Sequence, residues 1–240
     1  MSKIFKGFAL ALSMLTTLPF FRVHDFYRGI NGYAVMFYPL IGFLLGAILY
    51  AVSLLLEPYF PQFHLAIILF ALWVALTGAL HLDGLADTID GLFVPKERAL
   101  EVMKDPHNGG MGMTFSAVFL ILKASSLIAL QNYALLPLVL LLPRLIVVFC
   151  IYFFPYVSGG MSQLAKEELQ SKQVFMVLLY SLVFIFLYNA WFLLAASLFM
   201  MLLVKQFFIK RYGGFTGDIY GFTIEATELF LLNCIIVGLA

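Results

Sequence analysis

From residue 173 to residue 204 the chain runs 32 residues without a charged side chain. As one helix at about 1.5 Å per residue, that run would far exceed a hydrocarbon core of about 30 Å. It must tilt steeply or break, and Tyr188-Asn189 near its middle is the only plausible turn in it. A break there gives two shortish spans, roughly 173–188 and 190–208. The rest of the chain has the same character. Hydrophobic residues make up 63% and charged residues 11%, with a mean hydropathy of +1.02, where globular chains run at about 45–50% and about 25%. The fold class is therefore all-α, a polytopic membrane helical bundle. A net charge of +1 from 14 Lys and Arg against 13 Asp and Glu leaves nucleic-acid binding without an electrostatic basis. Cys150 and Cys234 both sit in apolar runs, in neither a disulfide pattern nor a zinc-binding one.

The charge-free stretches 32–56 and 58–80, separated by Glu57 and bracketed by Pro58 and Pro61, read as a helical hairpin. A polar segment, 81–110, follows, with Asp83, Asp87, Asp90, Glu97, Glu101 and Asp105 beside Lys96, Arg98 and Lys104; it is expected as a loop outside lipid. Runs 111–131 and 133–155 make a second hairpin, each with one cation, Lys123 or Arg144. A second polar loop covers 156–172, and a last span runs from about 220 to 239. With the long run split, seven spans result, preceded by an N-terminal interfacial helix over 1–21. That helix has Lys3 and Lys6 before an apolar core, lacks a small-residue cleavage site before Arg22, and ends at Pro19-Phe20-Phe21. The chain then forms a single integral-membrane unit, 1–240, with its site loops at 81–110 and 209–219. Lys3, Lys6, Arg22, Arg28, the 81–110 cations, Lys166, Lys172, Lys210 and Arg211 all fall on one side, which the positive-inside rule makes cytoplasmic.

The most informative stretch is His81-Leu82-Asp83-Gly84-Leu85-Ala86-Asp87-Thr88-Ile89-Asp90-Gly91. On a helix Asp83, Asp87 and Asp90 stand at i, i+4 and i+7, a stripe about 60° wide. Like charges that close raise one another's pKa unless a cation sits among them, and an all-oxygen donor set suits Mg²⁺, Mn²⁺ or Ca²⁺. A solvated acidic face is the plainer alternative, opposed by the Gly, Leu, Ala and Ile between the acids. His81, on roughly the opposite side of such a helix, reads as a packing or hydrogen-bonding residue.

Further on, Pro106 should stop a helix, and the Gly109-Gly110-Met111-Gly112 turn offers backbone N–H groups to an anion at the start of the next span. With Lys104 this reads as a phosphate cradle, the bland alternative being a glycine-rich turn. Lys123 and Arg144, deep in their spans, are functional candidates by position, and Arg144 suits a bidentate phosphate contact. Gly213-Gly214-Phe215-Thr216-Gly217-Asp218 precedes the last span, on the face of the aspartate stripe. Asp218 is a candidate fourth metal oxygen or a general base. Glu225 and Glu228 enter the membrane one turn apart with no local cation, so pairing with Lys123 or Arg144 is the plainer alternative for these two acids, as snorkelling is for Lys123.

Together these pieces resemble the cobalamin synthase family, the adenosylcobinamide-GDP ribazoletransferases. The resemblance rests on Phe8-Ala9-Leu10 through Leu15-Thr16-Thr17-Leu18-Pro19, on His81 through Leu92, on Arg98-Ala99-Leu100-Glu101-Val102-Met103-Lys104-Asp105, and on Gly213 through Asp218, in order over nearly the whole chain. Many members follow the Met-Lys-Asp run with Ser-Arg; here Pro106-His107 stands in that place, which makes His107 the candidate phosphate contact. The resemblance implies transfer of the adenosylcobinamide-phosphate group of adenosylcobinamide-GDP to α-ribazole or its 5′-phosphate, with release of GMP and a requirement for Mg²⁺. It implies Asp83, Asp87, Asp90 and Asp218 as metal ligands, with Asp87, Asp90 and Asp218 in the chemistry. Lys104, His107, Gly109, Gly110, Gly112, Lys123 and Arg144 would then hold substrate. The expected partners are those two substrates and the lipid bilayer, with a homo-oligomer left open, and the setting is a prokaryotic inner membrane. The aspartate spacing also looks like that of the CDP-alcohol phosphotransferases, but Asp87 follows Ala86 where their pattern has Arg. A cation transporter would place its acids at mid-span rather than at one interface.

Overall fold

The computed structural model describes residues 3–18, 27–105, 107 and 109–238. The Pro19-Phe20-Phe21 and Arg22 expectations, and the helix stop at Pro106, lie outside those residues. Twelve α-helices are present among the described residues, with Tyr156 and Phe215 forming an isolated bridge. Helix α1 (Lys3–Leu15) buries Leu10, Leu12 and Leu15 and leaves Ile4 and Phe5 exposed, so it lies on the bundle through one face.

The first expected span is interrupted. Pro39 has no N–H and its ring clashes with a preceding turn, so it is tolerated only at a helix start. The chain accordingly breaks at Phe37, giving α2 (Ile30–Met36) and α3 (Tyr38–Leu56). Helix α3 presents Gly42 and Gly46 to α8 (Leu136–Phe153), where an added Cβ would run into the Leu140 and Leu136 carbonyls. Small residues four apart let two backbones approach closely in a membrane. Helix α8 is apolar all round, and Leu138, Val139, Leu140, Leu141, Leu142 and Leu145 are wholly buried. It is the axis on which α3, α10, α11 and α12 pack.

Helix α4 (Gln62–Thr77) ends at Gly78 and Ala79, both left-handed with φ of 60° and 56°, and α5 (Leu80–Leu92) leaves at 84°. The freed carbonyls of α4 are taken by Thr17, whose N–H donates to Leu76 O at 2.9 Å and whose Oγ1 donates to Ala75 O at 2.8 Å. The segment 81–110, expected as a loop, thus holds α5 and α6 (Lys96–Val102) before α7 (Gly110–Ala129) begins. The second polar stretch likewise holds α9 (Met161–Glu168), bent 92° from α10 (Ser171–Leu187). Glu168 accepts from Asn31 N and Nδ2 at 2.9 and 2.8 Å and so caps α2.

The long run does split where expected. Tyr188 ends α10, Asn189 turns with φ of 52°, and α11 (Trp191–Tyr212) returns. Helix α12 (Gly217–Ile236) closes the bundle. Among the described residues five helical segments are long and apolar enough to span a membrane, or up to seven if each of the bent pairs α4–α5 and α9–α10 makes one span. In each pair the polar member is bent sharply away from the apolar one, α4 or α10.

Candidate active site

Helix α5 is held against the start of α12 by close backbone contact and by a clamp at its far end. An added Cβ at Gly84 would lie 2.9 Å from Asp218 O, and one at Gly221 would lie 3.3 Å from Gly84 Cα. At the C-terminus of α5, Tyr212 Oη donates to Gly91 O at 3.0 Å and Arg211 Nη2 donates to Leu92 O at 3.0 Å and Val94 O at 3.3 Å. A cation on orphan carbonyls also suits the helix dipole. The Gly213–Thr216 turn is fixed in the same way, since Phe215 N donates to Pro155 O and Val157 N donates to Phe215 O, both at 2.9 Å. Thr216 caps α12 by accepting from Ile219 N at 3.2 Å and also donates to Asp218 Oδ2 at 3.3 Å.

These restraints bring Asp218 to the aspartate stripe from more than a hundred residues away. Asp83 is exposed, Asp87 and Asp218 are half-buried, and Asp83 and Asp218 line one cavity of about 250 Å³. The carboxyl of Asp87 is pushed up to about 7, first by burial and then by the charges of Asp83, Asp218 and Asp90. Four acids acting on one another with so little relief form a donor set that fits a hard divalent cation. Among the described residues no three His, Cys, Asp or Glu side chains converge closely enough to hold an ion as they stand.

Asp90 explains part of that. Its two carboxylate oxygens accept from Gly109 N and Gly112 N, each at 2.7 Å, so it caps α7. The backbone donors expected to cradle a substrate phosphate are therefore occupied by an acid of the stripe itself. The glycines are needed for this approach, because a Cβ on Gly109 or Gly112 would collide with the Asp90 carboxylate. Gly110 is exposed at the start of α7, open to whatever lies above it. Lys104 is exposed on the turn after α6, and its charge bears on Asp218. His107 is exposed, with Nδ1 2.8 Å from Asp105 Oδ1.

Glu225 and Glu228 take the plainer alternative and pair with Lys123 and Arg144. Lys123 Nζ donates to Glu225 Oε2 and Glu228 Oε2, each at 2.6 Å, and lies 4.2 Å from the Trp73 ring centre. Arg144 Nη1 donates to Glu228 Oε1 and to Leu140 O, both at 2.7 Å. All four charged side chains are buried, so α7, α8 and α12 share a neutral cluster of two cations and two anions. Lys123 Nζ and Arg144 Nη1 are thus engaged inside the bundle, while Arg144 Nε and Nη2 are buried with no hydrogen-bond partner in the protein. His81 is also buried. Burial, then the Arg144 and Lys123 charges, holds its imidazole well below the usual histidine range and hence uncharged.

A direct test of the α5–α12 contact is Gly84→Ala. The atoms an added methyl would meet, Asp218 O and Cα at 2.9 and 3.1 Å, are backbone and cannot turn aside. The helices must part, and misplacing reacting groups by about 1 Å is worth about a hundredfold in rate. Turnover should fall on that order. Gly159→Ala, whose Cβ would meet only Gln163 Oε1 at 3.9 Å, should leave it unchanged.

The chain is similar to a set of bacterial proteins that share one name. The family model described as cobalamin-5-phosphate synthase matches residues 7–236. A Stutzerimonas stutzeri protein named adenosylcobinamide-GDP ribazoletransferase is 38% identical over 240 residues, 96% of each chain. Proteins of the same name from Desulfitobacterium hafniense and Thermosynechococcus vestitus are 34% and 39% identical, covering 93% of both chains and 84% and 85% respectively. No solved structure matches the chain significantly.

Proposed function

The chain belongs to the cobalamin-5-phosphate synthase family, and from that membership we propose that it transfers the adenosylcobinamide-phosphate group of adenosylcobinamide-GDP to α-ribazole or its 5′-phosphate. A ribose hydroxyl of the acceptor attacks the phosphorus on the cobinamide side of the diphosphate, the bond to the bridging oxygen breaks, and GMP leaves with that oxygen. The observation that carries the reading is the meeting of Asp83 on α5 with Asp218 on α12 at one cavity, with Asp87 close enough to feel the charge of both. A phosphoryl-type transfer needs clustered carboxylates of this kind, because a divalent ion held on them neutralises charge developing on the phosphate oxygens. Mg²⁺ is the ion we assign, held by Asp83, Asp87 and Asp218. Asp90 serves as an outer ligand whose primary contact is the start of α7. Lys104 and the open edge of the Gly110 turn face the departing nucleotide, and the loaded face is cytoplasmic in a prokaryotic inner membrane.

Purified protein in detergent, given adenosylcobinamide-GDP, α-ribazole and Mg²⁺, should release one GMP per cobalamin formed. Release of GMP without cobalamin, or no turnover of this pair alongside turnover of a CDP-alcohol, would overturn the assignment.

The pH dependence follows from Asp87. Its carboxyl titrates near 7 in the folded protein against an ordinary value of 3.8, so the fold gains stability from the proton, and that gain is lost as pH rises from about 4 through 7. A carboxyl holding its proton is no ligand. The Mg²⁺ concentration for half-maximal rate should therefore rise about tenfold per pH unit below 7 and level off above it. In a thermal-melt series the stabilisation by Mg²⁺ should be large at pH 8 and small at pH 6. An equal shift at both pH values would remove Asp87 from the ion's ligands.

A further inference from the structure

His81 on α5 and Tyr220 on α12 line the cavity beside the aspartates, and each carries a buried polar atom, Nδ1 and Oη, with no hydrogen-bond partner within the protein. Each side chain is only 5% exposed. Buried polar groups are nearly always paired, and leaving one unpaired is costlier than replacing it by carbon. Much of the rest of the wall is apolar, with Leu15 from α1, Val147 and Ile151 from α8, and Met161 from α9. Tyr220 is itself held flat by stacking on Tyr156 and Phe215, with ring centres 6.0 and 5.6 Å away, so its hydroxyl has a fixed position.

A slot with largely apolar walls and a few polar groups, Ser162 and Tyr38 beside His81 and Tyr220, suits a flat heteroaromatic ring that has greasy faces and few polar edge atoms. The base of a ribazole is a benzimidazole, apolar apart from its ring nitrogens. A nucleoside seated base-inward would also present its ribose to Asp83 and Asp218, the cavity's acidic members. We propose that this cavity binds the base of the acceptor nucleoside, with His81 and Tyr220 as the residues that orient it. The assignment rests on the transfer reaction proposed above and adds to it which substrate occupies which part of the site.

The test is a comparison of Tyr220→Phe, His81→Leu and His81→Asn in the purified full chain, each checked for its melting temperature. Affinity for α-ribazole alone is read by calorimetry, and KM is read separately for acceptor and donor. Tyr220→Phe and His81→Leu should each raise the acceptor Kd and KM about fivefold, the loss of one hydrogen bond, while the KM for adenosylcobinamide-GDP stays within about twofold. His81→Asn, whose amide reaches the same place as Nδ1, should recover most of the affinity. Tyr220→Phe keeps the ring and its stacking, so the assay survives even if a His81 variant is poorly folded. Equal rises in both KM values, or acceptor binding unchanged in Tyr220→Phe, would overturn the assignment while wild-type turnover still upheld the reaction. Wild-type protein that fails to turn over the pair would instead overturn the reaction beneath it.

Discussion

Asp87→Asn should yield a folded, membrane-inserted protein whose GMP release falls by at least about a hundredfold, since the loss of a contact that merely supports a metal ligand already costs about 10–100-fold. The substitution keeps the size of the side chain and removes one of the charges that act on one another across α5 and α12. Without Mg²⁺ above pH 7 the variant should consequently melt higher than the wild type, because the burial of a charge and the repulsion that together push Asp87 up to about 7 are gone. It should also lose most of its Mg²⁺-dependent stabilisation. Gain of stability with loss of activity is the signature of an acid kept for function. Near-normal turnover at ordinary Mg²⁺ would make the stripe a solvated face and end the metal reading. Asp218→Asn separates two roles: a lost ligand raises the Mg²⁺ requirement strongly, whereas a lost base lowers turnover at saturating Mg²⁺ and alters the pH profile.

The bundle was legible in the sequence because apolar length is a blunt signal that tolerates local error. A charge-free run of 32 residues has to break, Asn189 is a residue that accepts a left-handed turn, and the structure breaks there. What that reading missed is the bend ahead of α5, whose helix the aspartate spacing already implied, and the helix α9 inside the second polar stretch. Helices α5 and α9 run off bends of 84° and 92°, and a polar helix at such a bend has the composition of a loop. The break at Phe37 was within reach, since Pro39 demands a helix start close by.

For the site, spacing gave the aspartates their common face, and the meeting with Asp218 followed from the span count. The partner of the Gly109–Gly112 turn was not legible. A glycine turn at a helix start calls for an anion, but nothing local says whether that anion is a substrate phosphate or, as here, Asp90 on the preceding helix. His81 and Tyr220 left no pattern either, because a buried polar atom without a partner exists only once the packing around it is known.

The last expectation concerns the ion cluster, where the two uses of Lys123 and Arg144 make opposite forecasts. Glu228 accepts from both cations and is wholly buried. Glu228→Gln leaves two cations facing only Glu225, and breaking a buried pair by removing one partner costs about 3–5 kcal/mol. The expected result is a large drop in resistance to heat or to unfolding by SDS, with the KM for adenosylcobinamide-GDP little changed in the protein that remains folded. Were the cations there for the substrate diphosphate, donor KM would rise steeply and stability would hold. Removing one charge of each sign distinguishes neutrality from any single contact. Lys123→Met combined with Glu225→Gln leaves Arg144 paired with Glu228 at 2.7 Å, and it should be far more stable than either Glu228→Gln or Glu225→Gln alone. A double variant no better than the singles would mean that the cluster holds α7, α8 and α12 together by its individual hydrogen bonds rather than by its balance of charge.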